Sequence, residues 1–148
     1  MQAFPHHYRV QAAGEPAGSV RVAAAGVAAI DTFPPPEFDG PEGQWSPETL
    51  LVAAVADCYI LSFRAVARAS KLAWREISVD VEGVLERVDG VMRFTRFRIA
   101  PRLVLEAGAS ATLAQTVLDK SKRSCLVTNS LAAECELAPQ VREEGAAA

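Results

Sequence analysis

The sequence has few cysteines, few aromatic residues and no cluster of one charge. Cysteine occurs three times in 148 residues, aromatic residues make up 7%, and 15 Lys and Arg nearly balance 18 Asp and Glu. The net charge of -3 without a basic cluster argues against nucleic-acid binding, because phosphate contacts need grouped cations. Length and composition predict one compact domain over residues 1–148, with a core at about 8–139 and a flexible tail at 140–148.

Long apolar runs are also absent. The longest uninterrupted run is Leu50–Ala56, which Asp57 ends. It is far shorter than the roughly 20 residues that cross a bilayer, so no membrane association is expected. The first residues include Pro5, His6 and His7 and lack the apolar stretch of a secretion signal, so we expect a cytoplasmic protein.

Sites for metals and nucleotide cofactors lack support in the sequence. Cys58, Cys125 and Cys135 are an odd number at wide spacings, unlike a disulfide framework or a zinc site. His6 and His7 have no acidic or cysteine partner at ligand spacing. The glycines match neither of the phosphate-binding motifs GxGxxG and GxxxxGK[ST]. We therefore predict no metal and no cofactor.

In the first half of the chain, alternation and turn residues predict two strands, a loop and a helix. Tyr8–Ala13 and Ser19–Ala25 predict a β-hairpin. Thr32–Pro47 is rich in proline and glycine and predicts an ordered loop. A Ser-Pro helix start then precedes Leu50–Ala69, which is apolar on nearly all sides in its first half and predicts a long, buried central helix. Because one small sheet cannot cover such a helix, we expect a second subunit to cover the rest.

The second half predicts an antiparallel hairpin, a helix and a final strand. Glu76–Val88 and Val91–Leu105 alternate apolar and charged residues around an Asp-Gly turn. Within the second of these strands, Pro101 predicts an edge position or a bulge. A serine-capped helix is expected at about Ala111–Lys122 and a last strand at about Ala133–Ala138. This order is typical of an α+β fold, with no parallel β-α-β repeat.

The cysteines allow both inert and reactive interpretations. Cys58 falls in the middle of the apolar helix, as either a small buried hydrophobic residue or a nucleophile that a nearby cation activates. Cys125 follows a basic run. It either begins a short helix capped by Ser124, which would favour a thiolate, or lies in a turn at the rim of the core. Cys135 alternates with glutamates on the last strand and is interpreted as structural.

The order of these features resembles the OsmC/Ohr family of hydroperoxide-reducing proteins. The residues that carry the likeness are Ser46, Pro47, Glu48, Leu50, Cys58 and Cys125. Cys58 follows the glutamate by ten residues, and Cys125 lies at the end of the second predicted helix. The loop FPPPEFDGPEGQW and the hairpin VDVEGVLERVDGVMRF are also similar, so the resemblance covers about Tyr8–Pro139.

The resemblance implies an intertwined homodimer with two active sites at the subunit interface. In each site the Cys58 thiolate would attack an organic hydroperoxide, and the resulting sulfenic acid would form a disulfide with Cys125. A small dithiol or a lipoyl-type thiol would then reduce the disulfide. The apolar helices would favour alkyl or fatty-acyl peroxides over hydrogen peroxide.

The same resemblance implies that Glu48 orients an arginine that activates Cys58, although Glu48 could instead cap the helix at the surface. Ten helical residues correspond to about 15 Å, so an arginine or a partner subunit must bridge Glu48 and Cys58. In one branch of the family this arginine lies in the first hairpin, where this chain has Pro16 nearby and Arg21 as the nearest candidate. In another branch it lies in the proline loop, which has no arginine here.

The missing arginine motivates a second hypothesis. Without a cation the pKa of Cys58 would stay high, and peroxide reduction would be slow. The protein would then be a dimer with weak peroxidase activity that binds apolar ligands or senses redox state. Phe38 and Trp45 would either line an apolar pocket or hold the proline loop against the core. A purely structural interaction domain is the third alternative.

Overall fold

The computed structural model describes residues 1–146. Strands and helices mix along the chain, which confirms the predicted α+β class. The chain divides into two compact units, Met1–Leu51 and Val52–Ala148, and the boundary falls within the first long helix. The single domain expected from the chain length stays a prediction.

The first unit contains a three-stranded antiparallel sheet. Its strands are β1 (Gln11–Gly14), β2 (Val20–Ala23) and β3 (Ile30–Thr32), in the order β1-β2-β3. The predicted hairpin is confirmed, with shorter strands than expected, and β3 extends it to a sheet.

The proline-rich segment after β3 is an ordered loop, as predicted, with a single 3-10 turn at Pro36–Phe38. Its two ends are joined by a backbone hydrogen bond, in which Phe33 N–H donates to the Trp45 carbonyl at 2.9 Å. Gly40 N–H donates to the Pro35 carbonyl at 3.1 Å and folds the loop back on itself. This turn is so tight that a Cβ on Gly40 would lie 1.7 Å from the Pro34 carbonyl oxygen.

Helix α1 (Pro47–Ala69) begins with a reciprocal cap. The Ser46 hydroxyl accepts from Thr49 N–H at 3.2 Å, and the Thr49 hydroxyl accepts from Ser46 N–H at 2.9 Å. Both bonds satisfy backbone donors that have no partner within a helix. The helix ends before Lys71, whose φ of 54° places it in the left-handed region.

Within a single chain, α1 is buried along one stripe and not on all sides. The stripe consists of residues at every fourth position, all fully buried: Val55, Tyr59, Phe63 and Ala67. Leu61, on another face, is 52% exposed. The prediction of a helix buried all round is therefore wrong for one chain, and burial by a second subunit stays a prediction. By length and composition alone α1 would suffice to cross a membrane, but the core helix of a globular protein also meets that test.

The second unit is built on a long antiparallel hairpin. Strands β4 (Trp74–Val88) and β5 (Val91–Leu105) pair along their whole length. Asp89 and Gly90 join them with φ values of 51° and 78°, as the two-residue hairpin turn requires. The predicted hairpin is confirmed, and its apolar alternation places Phe97, Ile99, Leu103 and Leu105 in the core.

The rest of the second unit contains α2 (Ala111–Ser124), α3 (Leu126–Asn129), β6 (Glu134–Leu137) and β7 (Gln140–Glu143). The Ser110 hydroxyl accepts from Leu113 N–H at 3.1 Å, which confirms the predicted serine cap of α2.

Three expectations about this sheet are wrong. Strands β6 and β7 both run parallel to β5, so β5, the two helices and β6 form a parallel crossover that the strand order did not suggest. Because β7 follows β6, the tail does not begin at residue 140; residues 147 and 148 lie outside the described residues. Pro101 is buried in the central strand, where it pairs with Val79 of β4 and falls between the positions that pair with β6 and β7.

Candidate thiol site

Helix α1 places Cys58 next to Tyr59, a buried residue that is hydrogen-bonded to α2. Tyr59 is fully buried, and its hydroxyl donates to the Leu118 carbonyl of α2 at 3.1 Å. Burial, with smaller effects from Asp119 and Cys125, raises the pKa of Tyr59, so the hydroxyl remains a donor. Cys58 itself is half-buried. The hydrogen bond therefore fixes the position of α1 against α2 one residue from Cys58.

Replacing Tyr59 with phenylalanine is expected to lower the free energy of unfolding by about 1–3 kcal/mol, because the buried Leu118 carbonyl would lose its side-chain donor. Chemical denaturation of the variant measures this change. Tyr8→Phe is the matched control, since Tyr8 is 89% exposed. Equal losses in the two variants would show that the buried hydrogen bond does not anchor α1.

Cys125 lies between α2 and α3 and is fully buried. Its N–H donates to the Lys122 carbonyl at 3.2 Å, and its carbonyl accepts from the Thr128 hydroxyl at 3.2 Å. A new short helix was one of the two alternatives. This helix forms, but it begins at Leu126, and its N-cap is Cys125 and not Ser124. The N-cap of α3 thus lies one residue later than Ser124. The reason is that Cys125 adopts extended backbone angles of -69° and 108°, which end α2.

The structure brings Cys58 and Cys125 together although they are 67 positions apart in the chain. Both are free thiols, and they lie close enough together for Cys58 to raise the pKa of Cys125. Burial raises the pKa of Cys125, hydrogen bonds from Thr128 partly offset the rise, and contact with Cys58 adds to it. Of the two interpretations left open for Cys125, a thiolate favoured by a helix start is therefore wrong, because burial is the largest cause of the raised pKa.

Cys135 is the third thiol of this region, which sequence reasoning interpreted as structural. It lies on β6, is half-buried, and donates to the Ala133 carbonyl at a sulfur–oxygen distance of 3.6 Å. It lines a cavity of about 500 Å³ together with charged side chains of α2, namely Asp119, Lys122 and Arg123. In the sequence, only the odd number of cysteines indicated that one thiol could lie outside a pair.

Glu48 and Arg21 lie in the first unit and are described within it. One carboxylate oxygen of Glu48, Oε2, is buried and has no hydrogen-bond partner among residues 1–146. The cap of α1 is made by Ser46 and Thr49, so Glu48 contributes no capping hydrogen bond there. Arg21 forms an exposed ion pair with Asp31 at 3.2 Å. The roles of Glu48 and Arg21 toward Cys58 stay predictions.

Glu48 lines an apolar cavity of about 450 Å³ in the first unit. Its walls come from the sheet, from the proline loop and from the start of α1, and include Val20, Pro34, Pro35, Phe38 and Leu50. Phe38 thus lines a pocket, whereas Trp45 joins the loop to β3 through its backbone. Within the described part of the chain, no three His, Cys, Asp or Glu side chains are grouped so as to hold a metal ion.

Comparison with known proteins places this arrangement in a family. The model of the OsmC-like protein family matches residues 40–139. The uncharacterized protein YmaD of Bacillus subtilis (strain 168) is 29% identical over 106 residues, which cover 70% of this chain and 71% of YmaD.

Two solved structures share the fold at lower identity. An OsmC-like protein of unknown function from Vibrio cholerae has a TM-score of 0.80 and 17% identity, over 93% of this chain and 100% of that one. The organic hydroperoxide resistance protein OsmC from Legionella pneumophila has a TM-score of 0.74 and 21% identity, over 94% and 98% of the two chains. The family model covers more than half of the chain, and the protein belongs to the OsmC/Ohr family.

Proposed function

We propose that this protein is a thiol-dependent peroxidase that reduces organic hydroperoxides. The observation that carries the proposal is that the fold brings the free thiols of Cys58 and Cys125 close enough for one to raise the pKa of the other. Two thiols in contact can take up the two oxidising equivalents of a peroxide without a metal or an organic cofactor. The family membership and the name of the Legionella pneumophila relative support the same chemistry.

In the proposed reaction the Cys58 thiolate attacks one peroxide oxygen. A sulfur–oxygen bond forms, the oxygen–oxygen bond breaks, and the alkoxide leaves as an alcohol after taking up a proton. Cys125 then attacks the Cys58 sulfenic acid, so that a disulfide forms and hydroxide leaves as water with the thiol proton. An external dithiol supplies two electrons and returns both cysteines to thiols. We assign Cys58 as the nucleophile because it is half-exposed, whereas Cys125 is fully buried.

The proposal includes the setting of the reaction. The protein would be cytoplasmic and would form a homodimer. In this dimer the partner subunit would cover the face of α1 that is exposed in a single chain. Glu48 would orient a cation toward Cys58, and Arg21 is the candidate for that cation.

Peroxide consumption by the purified protein tests the proposal. Wild type and Cys58→Ser are incubated with a dithiol reductant and either tert-butyl hydroperoxide or hydrogen peroxide. Turnover that depends on Cys58 and is faster with the organic peroxide would support the proposal. Absence of turnover with both peroxides would overturn it.

The raised pKa of Cys125 predicts that disulfide formation is slow at neutral pH and accelerates with alkali. Below its pKa, the thiolate fraction grows about tenfold for each pH unit, and the thiolate is the attacking form. The Cys58 sulfenic acid should therefore persist at pH 7 and disappear quickly at pH 9. Trapping by dimedone, quantified by mass spectrometry, should decrease between these two values of pH.

Cys125→Ser is the control for the trapping experiment, because its sulfenic acid has no neighbouring thiol at residue 125. Dividing the amount trapped in wild type by the amount trapped in this variant corrects for the pH dependence of the dimedone reaction. A ratio that stays constant or rises with pH would contradict the assignment of Cys125 as a buried resolving thiol.

The apolar cavity in the first unit favours a second candidate function, a ligand-binding protein with weak peroxidase activity. Apolar walls suit an alkyl chain, and the unpartnered Glu48 Oε2 suits a hydrogen-bond donor at its head. Saturable binding of a long-chain alcohol by a protein without peroxidase turnover would favour this candidate. The Glu48→Gln variant tests whether that carboxylate contacts the head group.

A further inference from the structure

Cys135 shares a cavity with two cationic side chains in the second unit. The cavity of about 500 Å³ is bounded by the end of α2, by α3 and by β6. Lys122 and Arg123 contribute positive charges to its wall, and Asp119 contributes a carboxylate. The volume falls in the range of cavities that bind small molecules, roughly 300–1,000 Å³. The proposed peroxide reaction uses none of these four side chains.

The two cations of the cavity are not neutralised by carboxylates of the protein. The ion pairs within residues 1–146 involve three other arginines, namely Arg21, Arg75 and Arg102. Neither Lys122 nor Arg123 takes part in an ion pair there. The carboxylate of Asp119 accepts a hydrogen bond from the Gln115 side chain of its own helix at 3.2 Å. The cavity therefore offers positive charge to an anion from solution.

Hydrogen bonds hold the wall of the cavity in place. The Asn129 amide nitrogen donates to the Arg123 carbonyl at 3.0 Å and joins α3 to the end of α2. The Thr128 hydroxyl, also in the wall, is buried and donates to the Cys125 carbonyl at 3.2 Å. Cys135 is half-buried on β6, whose pairing with β5 fixes its position. The cations and the thiol are therefore fixed around the same space by secondary structure.

We propose that the cavity is a site of reversible thiolation, in which Lys122 and Arg123 bind the carboxylate of a small disulfide and Cys135 forms a mixed disulfide with it. The ligand class follows from the wall, because the cations favour a negative charge and the thiol reacts with a sulfur–sulfur bond. The modification goes beyond the proposed function and does not depend on it, since neither Cys58 nor a peroxide takes part.

The exchange at Cys135 is balanced and needs only the disulfide. The Cys135 thiol loses its proton, and the thiolate attacks one sulfur atom of the disulfide. A sulfur–sulfur bond to Cys135 forms, the original sulfur–sulfur bond breaks, and the other half leaves as a thiolate that takes up a proton. Burial raises the pKa of Cys135 and the positive charge of Lys122 lowers it, so Lys122 also favours the attacking thiolate.

Three small disulfides of different charge test the site on the wild-type protein. Dithiodipropionate is anionic, cystamine is cationic and bis(2-hydroxyethyl) disulfide is neutral. Each is incubated with the protein at constant ionic strength, and the adduct is located by fragmentation of the tryptic peptide 124–142, which carries Cys125 and Cys135. Each rate is divided by the rate for N-acetylcysteinamide, a free thiol without a charged neighbour, which corrects for the intrinsic reactivity of the disulfide.

We expect the adduct on Cys135, with a corrected rate for dithiodipropionate that exceeds the rate for cystamine roughly fivefold or more. Succinate, a dicarboxylate without sulfur, should slow the anionic disulfide by competition, and dithiothreitol should remove the adduct. Lys122→Met should lower the ratio of the anionic to the cationic rate, in which any change in the pKa of Cys135 cancels. Lys120→Met is the matched control and should keep the ratio, since Lys120 is exposed and is not among the cavity residues.

Equal corrected rates for the three disulfides, or an unmodified Cys135, would overturn the thiolation site. Equal rates would show that Lys122 and Arg123 only stabilise the C-terminal end of α2. Because the comparison uses the wild-type protein, a variant that fails to fold does not affect it. Peroxide turnover measured on the same preparation is a separate result, so the thiolation site and the peroxidase proposal can fail independently.

Discussion

Replacing Cys125 with serine is expected to limit the protein to one molecule of tert-butyl hydroperoxide per Cys58 thiol. The variant keeps the nucleophile but lacks the thiol that converts the sulfenic acid to a disulfide. The Cys58 thiol therefore cannot be regenerated through that disulfide for a second turnover. Replacing Cys58 with serine should reduce peroxide consumption to the background rate, because a serine hydroxyl is not ionised near neutral pH. Peroxide loss in a stoichiometric titration distinguishes the two variants.

Ser124→Ala is the matched control for this pair. Ser124 precedes Cys125, is exposed, and does not cap α3. Its replacement should therefore leave both the peroxide titration and the steady-state rate unchanged. Equal activity in wild type, Cys58→Ser and Cys125→Ser would exclude a mechanism based on these two thiols.

Gly40→Ala is expected to destabilise the proline loop by about 3 kcal/mol or more, because the added carbon would overlap the Pro34 carbonyl oxygen at 1.7 Å. The nearest atoms to the added carbon all belong to the backbone of Pro34 and Pro35, so the overlap cannot be relieved by moving a flexible side chain. Pro34 and Pro35 also line the apolar cavity around Glu48, so the same substitution should weaken binding of apolar molecules there. Thermal unfolding measures the first effect, and binding of a long-chain alcohol measures the second.

Gly14→Ala provides the comparison for the loop variant. At Gly14 the nearest atom to an added carbon is a Val20 methyl group at 3.3 Å, which can move slightly. An alanine also lowers the entropy of the unfolded chain, which stabilises by about 0.4–1 kcal/mol where the backbone tolerates it. A Gly40→Ala protein as stable as Gly14→Ala would show that the loop is not held in the described conformation.

The long hairpin shows what the sequence predicts well. Alternation along Val91–Leu105 and the Asp89-Gly90 turn are local signals, so the strand and the turn were predicted at the observed residues. Which strands pair, and in which direction, is not determined by local sequence. The parallel addition of β6 and β7 to β5 depends on where the helices return the chain, and neither the direction of β6 nor the existence of β7 was predicted.

The candidate site was predicted unevenly for the same reason. Cys58 and Cys125 were predicted from their order in the chain, but only the fold shows that the two thiols lie close together. The environment of Cys125 was left open between a helix start and a turn at the rim of the core, because sequence position does not show the complete burial that raises its pKa. Cys135 was interpreted as structural because one residue on a strand carries no signal of the cavity beside it.

The most direct test of the account is the disulfide formed by Cys135→Ser after one equivalent of tert-butyl hydroperoxide. In this variant a disulfide within one chain can join only Cys58 and Cys125, so the tryptic peptides 22–64 and 124–142 identify it without ambiguity. The account predicts these two peptides joined in most of the molecules and resolved by reduction. Loss of the peroxide without a link between them, or both thiols still alkylated, would contradict it.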